Sequence, residues 1–149
     1  MADLEDFVAA QDRTWPEVTA ELAAGRKTTH WIWWVFPQLA TLGRSERAQH
    51  FGLSGVDAAR SYLDHPVLRA RLVEAARLLL RHDGTPPETI LGPVDALKVR
   101  SSLTLFEAVP GAPTECAEVL SRLYGGGRCP LTQAYLAGHA PRGNRGDLP

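Results

Sequence analysis

Residues 66–81 read PVLRARLVEAARLLLR, and Leu68, Leu72, Ala75 and Leu79 recur in it at the period of a helix with one buried stripe. Glu74, Arg77 and Arg81 cluster on the polar side. Pro66 suits the first helical position, where its missing N–H costs nothing, and Gly84 ends the run. His65, immediately before, is placed to cap the helix or to line a site at its N-terminus. Arg71 falls between Leu78 and Ala75 at the edge of the stripe. There its stem snorkels to water, or its planar guanidinium clamps a carboxylate or phosphate.

Working outward, the same punctuation recurs. Upstream, residues 45–51 form a brief helix candidate stopped by Gly52, and Ser54 is placed to cap a helix through Leu63. Residues 3–11 carry Leu4, Phe7, Val8 and Gln11 on helical spacing. Thr14-Trp15-Pro16-Glu17 has the form of a capping box, which predicts a separate helix over residues 15–24 stopped by Gly25. Downstream, Thr85-Pro86-Pro87-Glu88 opens a short helix ending near Gly92. Asp95 caps or opens a helix to about Ala108, and residues 114–124 and 131–137 complete the set. Residues 31–36 read as a strand or a buried helix, which period alone does not separate. The fold class expected is mainly α: one compact domain over residues 1–140, of about seven or eight short helices with at most a minor strand element. The polar, Gly- and Pro-containing residues 141–149 read as a disordered tail.

A chain of 149 residues can bury a proper core, and 44% hydrophobic with 22% charged residues is ordinary for a globular protein. Its 16 basic and 17 acidic side chains give a net charge of -1. A nucleic-acid binder usually carries a basic excess, so nucleic acid is not the expected partner. The absence of a membrane-length apolar run and the acidic start, Met1-Ala2-Asp3-Leu4-Glu5-Asp6, predict a cytoplasmic protein. Cys116 and Cys129 read as ordinary thiols. The histidines show no metal-ligand spacing, and no cofactor or metal is expected.

Chemistry concentrates in two places. His30-Trp31-Ile32-Trp33-Trp34-Val35-Phe36-Pro37-Gln38 reads as a central core element, or as an aromatic wall with His30 and Gln38 supplying polar ends. On the helix after Asp95, steps of 100° bring Leu105, Lys98, Ser102, Asp95, Phe106, Val99 and Leu103 around one face. Asp95, Lys98 and Ser102 are thus bracketed by apolar side chains. A charge there needs a partner or a ligand, because desolvating it alone is costly. A structural Asp95–Lys98 pair, or Asp95 as an N-cap, satisfies that need equally well.

Three motifs taken in order resemble one family. Gly25-Arg26-Lys27 leads to His30-Trp31-x-Trp33-x-x-Phe36-Pro37-Gln38 and Leu42-Gly43-x-Ser45. Tyr62-Leu63-x-His65-Pro66-Val67-Leu68 with Arg71-Leu72 follows, then Asp95-x-x-Lys98-x-Arg100-Ser101-Ser102-x-Thr104-Leu105-Phe106. Over roughly residues 3–136 the chain resembles domain-of-unknown-function family 1810, a group of uncharacterised bacterial proteins. The resemblance implies a single small cytoplasmic domain and brings no established activity. Some members carry the label calpastatin, which no residue here supports. The chain departs from the family pattern at Arg69, where glycine is usual, and at Cys129, where an acid is expected.

Two functions compete. In the first, the domain is an enzyme or binding protein for a small anionic, nucleotide- or ADP-ribose-like ligand. Asp95 and Lys98 would be catalytic, and His30, Trp33, Gln38, His65, Arg71, Ser102 and Thr104 would bind the ligand. Helical proteins of the NADAR type offer a fold-level analogy, which is no warrant for their activity. In the second, the same polar groups form a buried network in a structural or protein-interaction module, whose partner the sequence does not name.

Overall fold

Residues 1–138 are described in the computed structural model of the chain. Among them are nine α-helices, α1 (Leu4–Ala24), α2 (Ile32–Val35), α3 (Glu46–His50), α4 (Val56–Asp64), α5 (Pro66–Leu80), α6 (Pro87–Leu91), α7 (Pro93–Glu107), α8 (Thr114–Leu123) and α9 (Pro130–Gly138), with one 3-10 turn, Ala40–Leu42. The protein is a single helical domain, one or two helices richer than expected. Among the described residues the nearest approach to a sheet is one parallel bridge, Leu39 to Leu53. The boundary expected at residue 140 and the tail at 141–149 lie outside the described residues.

The first 21 helical residues correct the expected break. α1 runs through Pro16, and its cap is Asp3, whose carboxylate accepts from Asp6 N–H while Asp6 returns the bond. Phe7, Ala10, Gln11, Val18, Glu21 and Leu22 are buried in one unbroken stripe, and Pro16 sits on the exposed side. Burial of that stripe outweighs the single backbone bond that proline deletes. Thr14, expected to cap, donates its hydroxyl to Ala10 O at 2.9 Å instead.

Gly25 ends α1 as expected, in the left-handed conformation (φ 76°) that glycine adopts without strain. His82, beyond the end of α5, donates from Nε2 to Leu22 O at 2.8 Å. Its ring occupies the space beside Gly25, where a Cβ would stand 2.9 Å from Cε1. The α1 and α5 ends are pinned together there.

α5 begins as its sequence predicts, with Pro66 at the first turn and His65 Nδ1 accepting from Leu68 N–H at 3.5 Å. α4 is not capped by Ser54: Gly55 holds the N-cap without a side-chain bond. α7 starts two residues before Asp95. Gly92, with φ 84°, turns the chain and Pro93 opens the helix, which leaves Asp95 in the first turn with its carboxylate free to reach elsewhere. α5 packs on α1, α4 and α8, while α7 packs on α4, α6, α8 and α9. No helix among the described residues is long and apolar enough to cross a membrane.

α2 is the aromatic segment, and it is a one-turn helix rather than a strand. It touches α1, α5 and α7. Trp31, Ile32, Val35 and Phe36 are almost wholly enclosed. Edge-to-face contacts spread from this centre: Trp34 on Phe51 at 5.4 Å, Phe51 on Phe7 at 5.3 Å, and Phe7 on Tyr62 at 5.3 Å.

Candidate functional site around Trp33

The four tryptophans differ in one respect. Trp15 donates its indole N–H to Glu74 Oε1 at 3.0 Å, Trp31 to Glu21 Oε1 at 3.1 Å, and Trp34 to Thr14 Oγ1 at 2.9 Å. The Trp33 nitrogen is shielded from solvent and has no hydrogen-bond partner among the described residues. A buried unpaired donor forfeits roughly 1–3 kcal/mol relative to a satisfied one. Such an atom in an otherwise satisfied aromatic cluster marks a place where the chain is not optimised for itself.

Cations surround that indole. Lys98 Nζ lies 5.5 Å from the ring centroid and the Arg47 guanidinium carbon 5.1 Å, both within cation–π range. Gln38, Ile32, Phe36, Ala48 and Phe51 complete a narrow slot of about 10 Å³ with Trp33 and Lys98. The Gln38 carbonyl is used by Leu53 N–H at 2.9 Å, and its side-chain amide makes no bond within the described residues. Arg47 forms no ion pair among the described residues. The side chains at the slot therefore present donors and positive charge, with no carboxylate in its lining.

Behind the slot stands a relay of charges. Lys27, from the loop after α1, places Nζ 2.9 Å from Asp95 Oδ2, 2.6 Å from Thr29 O and 4.8 Å from the Trp31 centroid. The Lys27 side chain is 5% exposed and that of Asp95 20%, so the pair is shielded on the lysine side and partly open at the carboxylate. Asp95 Oδ1 reaches Lys98 Nζ at a looser 3.9 Å. The pair expected within α7 thus exists as the weaker half of a three-member chain, and Asp95 is not an N-cap.

Glu21 holds the loop that carries Lys27. Its carboxylate accepts from Thr28 N (2.8 Å), Thr29 N (3.0 Å), Thr29 Oγ1 (2.6 Å) and Trp31 Nε1. Burial by itself would raise this carboxyl. The hydrogen bonds from Thr29, Thr28 and Trp31 outweigh it and pull the pKa down to about 2.

The remaining candidates stand apart from the slot. His30 is exposed and bonds to nothing among the described residues. Ser102, one helical turn beyond Lys98 on α7, is fully enclosed, and its hydroxyl has no partner among the described residues. Thr104 donates to Arg100 O (2.7 Å) and accepts from Cys129 N (3.1 Å), which ties α7 to the start of α9. His65 faces Glu5 on α1 at 3.3 Å. Arg71 binds Asp12 at 2.6 Å and Gln11 at 3.4 Å and stacks on Trp15 at 5.4 Å. These contacts turn both residues toward α1, where each already has a partner. Arg69 donates to Gly111 O at 2.9 Å. Lys27, Arg47 and Glu21 were not among the sequence candidates. Lys27 lay inside a quoted motif, and Arg47 on a short exposed helix gives no pattern to notice. Among the described residues no group of three His, Cys, Asp or Glu side chains is placed to hold a metal.

The family model for proteins of unknown function designated DUF1810 matches residues 1–136. The chain belongs to that family. It is also similar to a solved structure, the conserved hypothetical protein Rv1873 from Mycobacterium tuberculosis. The two share 44% sequence identity and a TM-score of 0.87 over 91% of this chain and 96% of the other. No curated protein matches the chain.

Proposed function

We propose that this member of the DUF1810 family binds a small anionic ligand, nucleotide- or ADP-ribose-like, at the Trp33–Lys98 slot. The observation that carries this reading is the Trp33 N–H, unpaired among the described residues, on a ring that the cations of both Lys98 and Arg47 approach within cation–π range. Lys98, Arg47 and the indole offer only donors, and the Gln38 amide adds two more. An oxyanion supplies the matching acceptors and charge, and charge-assisted bonds are the strong ones. Lys27 bears on the catalytic question. With Lys27 at 2.9 Å, Asp95 is committed to an ion pair. Its role in this reading is to orient Lys98, which makes binding better supported than acid–base catalysis. The proposed setting is the cytoplasm, and the near-neutral charge argues against a nucleic-acid partner.

The competing reading, a structural or protein-interaction module, draws on the same relay. The Lys27–Asp95 pair joins the α1–α2 loop to α7, and Lys27 N–H also donates to Ile90 O at 2.7 Å. One experiment separates the two. Titrating the labelled protein with inorganic phosphate and ADP-ribose should move the Trp33 indole N–H resonance. Lys98→Met should abolish that response while the protein stays folded. A resonance that ignores both compounds would sink the ligand reading and leave the structural one.

A further inference from the structure

We propose that the ligand is a nucleoside or sugar phosphate lying across α3, with one phosphate oxygen in the slot and its body in the depression on the other side of Arg47. This inference rests on the anion-binding reading above and specifies the class of anion. The first argument is size. A slot of about 10 Å³ has room for roughly one water-sized group. Ligand sites for whole organic molecules occupy about 300–1,000 Å³. The slot can therefore hold only the tip of such a molecule.

The second argument is adjacency. An open depression of about 830 Å³ lies against α3, lined by Thr41, Gly43, Glu46, Arg47, Gln49 and His50 among others. Arg47 belongs to both places: it lines the depression and lies over the Trp33 ring. Ala48, the next residue, lines the slot. A guanidinium at that boundary can bind two oxygens of one phosphate in a planar fork, while Lys98 acts as a point charge from within.

The third argument is the change in polarity across Arg47. The slot side offers donors, whereas the depression adds the Glu46 carboxylate, the Thr41 hydroxyl and the Gln49 amide. A phosphate suits the first side, and hydroxyl or amino groups of a sugar or base suit the second. Two glycines press α3 into this position. A Cβ on Gly43 would stand 2.6 Å from Ala48 Cβ, and one on Gly52 would stand 2.4 Å from Ala40 Cα. The surface is thus set by close backbone packing.

The test is a heteronuclear NMR titration of the full chain with inorganic phosphate, ribose 5-phosphate, adenosine 5′-monophosphate and unphosphorylated adenosine. Phosphate should move the Trp33 indole signal. At least one of the two monoesters should also move the Thr41, Gly43 and Gln49 amides, and should bind about tenfold or more tighter. That gain is on the order of 1.4 kcal/mol. Arg47→Ala, on an exposed side chain, should weaken phosphate and the monoester alike, whereas Gln49→Ala, also exposed, should weaken the monoester alone and bring it toward the affinity of free phosphate. Equal affinities with silent α3 amides would overturn the two-part ligand and leave anion binding intact. Shifts on α3 with both adenosine and its monophosphate, without Trp33, would make the depression a separate site and overturn the proposal. No Trp33 response to any phosphate would remove the reading beneath it.

Discussion

The ammonium of Lys27 stands 2.9 Å from the Asp95 carboxylate and fastens the loop after α1 to the first turn of α7. Removing one member of a partly enclosed pair leaves the other charge uncompensated, which usually costs more than the pair contributes. Lys27→Met is expected to destabilise the domain by about 2–4 kcal/mol, and Asp95→Asn by a similar amount. The double variant should lose clearly less than the sum, as chemical denaturation of all four proteins would show. Additive losses would mean that the two side chains do not depend on each other.

Acid should unfold the protein partly through Glu21. Its folded pKa of about 2 lies below the ordinary 4.5, so the folded state favours the ionised carboxylate. The resulting stabilisation is complete above pH 4.5 and is lost as the pH falls toward 2. It amounts to roughly 3 kcal/mol. Glu21→Gln should be less stable at pH 7 and should show a flatter stability curve between pH 4.5 and 2. Parallel curves for the two proteins would contradict this account.

Trp33→Phe keeps a ring in the cluster and deletes the unpaired N–H. Loss of an unsatisfied buried donor is near neutral or stabilising, so the melting temperature should hold or rise. Phosphate binding, which the proposal places on this nitrogen, should weaken about tenfold, the worth of one charge-assisted bond. Calorimetry reads both quantities. A large drop in stability would show that the packing of the larger ring outweighs relief of the unpaired donor, and would contradict this expectation.

Gly25→Ala meets two penalties, a left-handed backbone and the His82 ring at 2.9 Å. The expected loss is about 2–3 kcal/mol, of which about 1 kcal/mol is conformational. Adding His82→Ala relieves the collision but forfeits the bond to Leu22 O. The double variant should therefore fall short of additive, and a strictly additive loss would place the whole penalty in the backbone.

Ser102→Ala removes a hydroxyl that is enclosed and bonds to nothing among the described residues. Its stability should be unchanged or up to about 1 kcal/mol higher by thermal unfolding. A loss beyond that would show that the hydroxyl has a partner.

Local chemistry in the sequence was a good guide where one residue decides the outcome. Pro66 opens α5, His65 caps it, and Gly25 stops α1, each through its own backbone or side-chain preference. The guide failed where local and tertiary terms conflict. Thr14-Trp15-Pro16-Glu17 satisfies the rules for a helix start, yet the stripe from Phe7 to Leu22 buries more than a new cap would gain. Gly92-Pro93 marks the α7 start more strongly than Asp95, because a positive φ followed by proline fixes the chain direction. At the candidate site, Trp33, Gln38, Asp95 and Lys98 were legible as polar or aromatic residues in apolar company. Their separation from His65 and Arg71 was not, since nothing in helical spacing says which neighbouring helix a face meets. The link from Lys27 to Asp95 joins distant parts of the chain, and Arg47 is an exposed arginine that only the fold brings to Trp33.

Met1 lines the depression beside α3, and Ala2 N–H donates to His50 O at 2.7 Å. An affinity tag fused ahead of Met1 would emerge onto the surface where the ligand body is proposed to lie. A screen run on such a fusion would be biased toward finding nothing, because the tag itself competes for the space. Removing it, or moving it to the other end of the chain, is a condition for measuring binding at all.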